Sequence, residues 1–161
     1  MPAQLFAIVD TAQDSRLIAL VRQSPEHQCL FSGEVLPPLD RVSPYLVKLA
    51  PDTPLLQLWR TEGWGKHWGL LITTHADLAT LRTHVRQFLQ ARLPDNRIVL
   101  FRFYDPRVFL DFLPTSTPAE QAKWFTQVDE YRVELGADQV RHLRWTDGAL
   151  HTEDFAFRRG H

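Results

Sequence analysis

Cysteine is nearly absent: the chain has 161 residues and a single thiol, Cys29. One cysteine cannot close an internal disulfide, so nothing calls for an oxidising compartment, and no CxxC pair is present to seat zinc. Its apolar neighbours Leu30 and Phe31 point to a buried strand position for it. Net charge is nearly absent as well. Eighteen Lys and Arg oppose nineteen Asp and Glu, a formal balance of −1, which removes any broad attraction to nucleic acid or to an anionic membrane. The N-terminus MPAQLFAIVD has neither the basic start nor the long apolar stretch of a signal peptide, and no apolar run approaches the ~20 residues of a membrane span. The expectation is a cytoplasmic protein with neither a nucleic-acid nor a membrane partner.

The familiar signatures of chemistry are missing too. Seven histidines invite a metal site, but none sits in a His-Glu-x-x-His helix. His75 and His84, nine positions apart at the two ends of one predicted helix, cannot ligate one ion from that helix, and His84 is placed beside its solvated face. Gly63, Gly65 and Gly69 lie in GWGKHWG without the GxGxxG order after a strand, and no nucleophile elbow or phosphate-cradling loop occurs. No metal and no cofactor are expected, and these glycines are read as permitting a turn.

What is present is core-forming material. Hydrophobic residues make up 44% of the chain, with five Trp and ten Phe, and the length suffices to bury a core without metals or disulfides. No repeat, low-complexity tract or linker divides it, so one domain over residues 1–161 is expected.

Leu5–Val9 reads as a strand, followed by a helix through Leu17, Ile18 and Val21. Cys29–Phe31 and Tyr45–Leu49 are short runs of strand length between Pro25, Gly33, Pro37 and Pro38. Thr53-Pro54, Asp105-Pro106 and Thr117-Pro118 each set an N-cap side chain before a proline at the first helical position, and Thr117 with Glu120 has capping-box spacing. His67–Thr73 reads as a strand, and Thr74 with Asp77 caps a helix whose Leu78, Leu81, Val85, Phe88 and Leu89 share one face. Ile98–Phe103 (IVLFRF) predicts a strand covered on both faces, Val128–Leu135 and Val140–Trp145 a terminal strand pair, and 157–161 a frayed end. Strands interleaved with helices predict an α/β or α+β fold, a mixed central sheet flanked by helices.

The densest polar cluster is Arg102, Asp105 and Arg107 in FRFYDPRVF. An enzyme could use the arginines for an anionic substrate and Asp105 as base. The plainer reading makes Asp105 a cap before Pro106, paired with Arg102 or Arg107. Trp59, Trp64 and Trp68 bracket GWGKHWG, and such aromatics are enriched both in cores and in binding hot spots.

GWGKHWGLLI, VLFRFYDPRV and FLPT, together with FAIVD at the N-terminus, SPYLVKL at 43–49 and Trp124-Phe125, resemble the effector-adaptor, or effector-chaperone, domains of the bacterial type VI secretion system, a family long catalogued as a domain of unknown function. The resemblance covers roughly residues 4–135. It implies a small non-catalytic domain without cofactor, in the bacterial cytoplasm, that binds an effector toxin and loads it onto the secretion spike protein. A cargo surface is expected near Trp64, Trp68, Tyr104 and Arg107, where aromatics and arginines meet outside the clear core patterns. The alternatives are a small cytosolic enzyme acting on an anionic ligand through Arg102, Asp105 and Arg107, and a regulatory binding module unrelated to secretion.

Overall fold

The central strand is decided by an apolar run that alternates between two buried sides. In the computed structural model, which describes residues 2–158, β1 (Gln4–Asp10) sends Phe6 and Ile8 into one apolar cluster and Ala7 and Val9 into another. A strand covered on both faces reads as a continuous apolar run, as LFAIV does.

Around β1 lie β2 (His27–Cys29), β3 (Pro44–Leu49), β4 (Gly69–Thr74), and, later in the chain, the meander of β7 (Glu130–Leu135), β8 (Gln139–Thr146) and β9 (Ala149–Ala156). Between β4 and β7 a separate hairpin pairs β5 (Gln90–Arg92) with β6 (Ile98–Leu100). The large sheet has the order β2-β3-β1-β4-β7-β8-β9. Its pairings are all antiparallel, where a mixed sheet was expected. The architecture is α+β. β3 and β4 flank β1 and run parallel to each other, so the crossover that the strand–helix alternation signals does exist, with β1 inserted between its two strands.

Helices cover both faces. α1 (Leu17–Gln23), α2 (Pro54–Leu58) and a π-turn over Trp59–Gly63 pack Leu17, Val21, Leu55 and Trp59 on the side of Ala7 and Val9. α3 (Leu78–Arg86), α4 (Pro106–Thr115) and α5 (Pro118–Lys123) lie on the other, where Leu81, Val85, Phe109 and Leu113 are fully buried. Burying one such side chain contributes about 1.5–3 kcal/mol. The described residues include no helix long and apolar enough to cross a membrane.

The helix starts follow their capping residues. Asp77 accepts from the Thr80 amide at 2.8 Å, Asp105 from the Arg107 amide at 2.9 Å, and Thr117 with Glu120 closes a capping box. Thr53 departs from this pattern: its hydroxyl turns back to the Ala50 amide and carbonyl, at 2.8 and 2.7 Å, and α2 starts on Pro54 without a side-chain cap.

Four further expectations need correction. IVLFRF is not one covered strand: β6 ends at Leu100, with Ile98 and Leu100 56% and 46% exposed, because it pairs only with β5 and stands outside the main sheet. The terminal strand pair has a third member, β9, joined to β8 through Asp147-Gly148, both at positive φ. Phe157 is not frayed, since its amide donates to the Asp138 carbonyl and its ring stacks on Trp64 at 3.9 Å, while 159–161 lie outside the described residues. His84 is buried, with Nε2 at 3.1 Å from the Trp124 carbonyl, and burial lowers its pKa.

Candidate functional site

The antiparallel pairing of β4 with its neighbours puts three chain segments at one end of the sheet. Asp10 ends β1, the GWGKHWG segment enters β4, and Glu134 lies near the end of β7. Gly69 is required at the entrance: a Cβ there would stand 1.7 Å from the Ile8 carbonyl oxygen. That close approach lets the Asp10 amide donate to the Trp68 carbonyl at 2.8 Å.

Asp10 is the hub of this rim. Its Oδ1 accepts from the Ala12 amide at 3.1 Å, capping a short 3-10 turn, and its Oδ2 accepts from Gln13 and, at 2.5 Å, from Arg102. Arg102 therefore pairs with Asp10 across 92 residues, and its guanidinium lies 5.9 Å from the centre of the Tyr104 ring. Burial, reinforced by the Asp10 charge, pushes the Tyr104 phenol up to about 12. Arg107 takes the other carboxylate. Its Nε and Nη2 donate to Asp105 at 3.1 and 2.8 Å, beside the amide bond that caps α4. Burial acts to raise the Asp105 pKa, but the bonds from Arg107 outweigh it and hold the carboxyl below its ordinary value. Each arginine of the FRFYDPRV motif is thus neutralised by its own carboxylate.

Glu134 behaves differently. Only 4% exposed, it accepts from the His67 amide at 3.2 Å and is pushed by burial from 4.5 up to about 7. His67, in the left-handed region at φ 64, holds its Nδ1 at 3.6 Å from Glu134 Oε2, beyond hydrogen-bonding distance.

The two segments expected to form a cargo surface are linked here through Asp10, whose amide donates to the Trp68 carbonyl and whose carboxylate accepts from Arg102. Their aromatic rings, however, point inward. Trp64, Trp68 and Tyr104 are each 2% exposed. Trp64 donates from Nε1 to the Gln139 carbonyl, and Trp68 fills the space left by Gly63, where a Cβ would come within 2.3 Å of its ring. Of the four residues only Arg107 shows its side chain, at 64% exposure. The Asp105-Pro106 pair is the start of α4, and Arg102 is the tie that holds that start to β1.

Accessible aromatics occur on the opposite, three-helix face. Phe88 follows α3, Phe101 follows β6, and Phe112 lies on α4. They pack over Trp124, with Phe88 stacked on it at 3.8 Å and Phe101 against Phe112 at 4.9 Å. All three phenylalanines are only partly buried. With Gln87, Gln90, Glu120 and Lys123 they line a surface groove of about 480 Å³. A second groove of about 340 Å³ shares Gln90 with it and is floored by Phe31, Leu89, Ile98 and Leu100. The sequence signal for this surface was the extra phenylalanine at the end of the α3 apolar face and the excess of apolar residues in IVLFRF.

No group of three or more His, Cys, Asp or Glu side chains that could hold a metal ion occurs among the described residues. Cys29 is half-buried, and burial raises its thiol pKa. No curated protein and no solved structure matches the chain. One family does: its sequence model spans residues 5–123, from β1 to the end of α5, taking in Asp10, GWGKHWG and FRFYDPRV, and the chain belongs to that family, described as a domain of unknown function, DUF4123.

Proposed function

We propose that this chain is a non-catalytic adaptor of a type VI secretion system, which holds an effector toxin and passes it to the spike protein. The observation that carries the reading is the apolar phenylalanine groove beside the β5–β6 hairpin, together with the exposed apolar residues of β6. Phe88, Phe101, Phe112, Ile98 and Leu100 form a partly exposed apolar surface with a polar rim of Gln87, Gln90, Glu120 and Lys123. That composition suits the apolar centre and polar edge of a protein-binding surface. The resemblance of GWGKHWGLLI and VLFRFYDPRV to effector-adaptor domains supplies the biological setting, and both motifs lie inside the matched region.

The enzyme alternative needs Arg102 and Arg107 free to meet an anion. Each is already closed on a carboxylate, Asp10 and Asp105, which favours a structural role for the cluster. The cargo surface is accordingly assigned to the phenylalanine groove and not to Trp64 and Trp68, whose burial makes them part of the core.

The test is co-purification with the products of the neighbouring genes. Phe101→Glu, checked for folding by thermal melting, is expected to abolish capture of the toxin, and Arg107→Ala to preserve it. Failure of the wild-type protein to capture either a toxin or a spike protein would overturn the adaptor reading. Full capture by folded Phe101→Glu would move the cargo surface elsewhere.

A further inference from the structure

β9 is the terminal strand of the large sheet. It pairs residue for residue with β8 over all eight positions, without a bulge, and every residue from His151 to Ala156 is exposed. It contains neither proline nor lysine, two common means of blunting a strand edge. α5 packs near β9, and Leu150 is partly buried against the three-helix core.

Two observations fix which backbone groups face outward. The Phe157 amide donates to the Asp138 carbonyl at 2.7 Å. The two-residue turn Asp147-Gly148, with φ of 53° and 73°, joins Thr146 to Ala149 in the manner of a type I′ hairpin. Both make the odd-numbered residues of β9 the ones bonded to β8. By alternation, the N–H and C=O groups of Leu150, Thr152, Asp154 and Ala156 face the open edge.

Among the described residues this edge is unpaired; an edge of this length is a template for another strand, and the side chains of β9 suit a copy of itself. In an antiparallel self-pairing, the residue on the two-fold axis sets the register. An axis between two residues would oppose outward-facing groups to inward-facing ones and form no ladder. With Glu153 or Asp154 on the axis, like carboxylates oppose each other, and with His151 there the overlap is short and ring meets ring. Thr152 on the axis sets His151 opposite the second copy's Glu153, twice, with threonine on threonine between them. The same register sets Ala149 opposite the second copy's Phe155, which is 41% exposed in the single chain. Within the chain the Glu153 carboxylate has no hydrogen-bond or ion-pair partner among the described residues, whereas its neighbour Asp154 is held by Arg141 at 2.8 Å. The His151 ring is oriented by its Nε2, 3.1 Å from the Thr146 carbonyl, which leaves Nδ1 for a partner.

We propose that two copies of this chain associate through β9, edge to edge and antiparallel about a two-fold axis at Thr152, joining their two large sheets into one. The inference stands apart from the adaptor reading: β9 lies outside the matched residues 5–123, on a different element from the phenylalanine groove.

Sedimentation equilibrium over a concentration series tests it, with backbone amide exchange as the register-specific readout. The wild-type protein is expected to dimerise, with the amides of Leu150, Thr152 and Asp154 gaining protection as concentration rises. Thr152→Pro removes an edge N–H that does not bond to β8 and is expected to leave a folded monomer. Glu153→Lys, which opposes a cation to His151, is expected to raise the dissociation constant about tenfold, and the exchange His151→Glu with Glu153→Lys to restore it. If Thr152→Pro does not fold, Glu153→Lys and the exchanged pair decide. A wild-type monomer at every concentration, or a dimer indifferent to Glu153→Lys, would overturn the proposal.

Discussion

Replacing Glu134 by glutamine is expected to stabilise the protein at about pH 8 and to change little at about pH 4. The carboxyl is 4% exposed, and burial raises it from 4.5 to about 7, against the opposing pull of the His67 amide. Asp105 adds to the rise and Arg107 works against it. Because the folded-state pKa is the higher one, the stability contributed by the bound proton is fully present below 4.5 and is lost as pH rises through about 7. Above that the fold carries a buried carboxylate without a full counter-charge. A shift from 4.5 to about 7 corresponds to about 3 kcal/mol. Glutamine keeps an oxygen for the His67 amide, is close in volume and has no charge to bury. At this chain length about 3 kcal/mol amounts to a rise of roughly 6–12 °C in Tm. Thermal melting of the two proteins across this pH range should give curves that coincide in acid and separate through neutrality. Parallel curves, or a gap that opens toward acid, would show that folding does not raise the Glu134 pKa, and the burial argument would fail.

Asp105→Ala should lower stability by about 1–2 kcal/mol by removing the cap on the Arg107 amide, whereas Arg107→Ala, which breaks only an exposed ion pair, should cost clearly less. Equal losses in urea titrations would contradict the capping account. Phe109→Ala, at a fully buried site, should cost about 3–5 kcal/mol. Phe88→Ala should cost about 2 kcal/mol, less than Phe109→Ala because the ring, though stacked on Trp124 and edge-on to His84 and Phe103, is only partly buried, and a larger loss for Phe88 would mean the groove is closed in solution. Gly69→Ala should fail to give folded soluble protein, because its methyl would overlap the Ile8 carbonyl, and a normal melt for that variant would disprove the close approach.

Helix starts were legible in the sequence because a cap is a local event. Asp77, Asp105 and Thr117 need only the amides two or three residues ahead, and those lie in the same stretch of chain. β1 was legible for a different reason: a run buried on both sides has a composition that exposed or half-exposed strands lack. IVLFRF shares that composition and does not share the burial. The difference lies in pairing partners, which are set by distant parts of the chain, so β6 cannot be told from a central strand by its residues alone. β9 fails in the opposite sense. ALHTEDFA is exposed at nearly every residue because the strand is an edge, so it has no continuous apolar run, and its one local signal was the Asp-Gly turn before it.

The rim shows the same division. That Arg102, Asp105 and Arg107 belong together was readable from spacing, but the assignment of partners was not: Arg107 reaches Asp105 two residues away, while Arg102 reaches back 92 residues to Asp10. Asp10 looks like a strand terminator until β1 and the start of α4 are brought side by side. Glu134, the most perturbed carboxyl of the rim, sits in a plain β-strand pattern and is perturbed because the folded chain buries it and brings Asp105 near, neither of which its own neighbours in sequence reveal. Tryptophan misleads for a related reason. A motif with three tryptophans among ten residues resembles a hot spot, but Gly63 and Gly69 provide the space that lets Trp68 pack inside, so glycine next to tryptophan is here the sign of a core. Phe88, Phe101 and Phe112 have no such glycine neighbours. They meet only in three dimensions, over Trp124, and because the hairpin that carries Phe101 stands off the main sheet, their outer faces stay open to a partner.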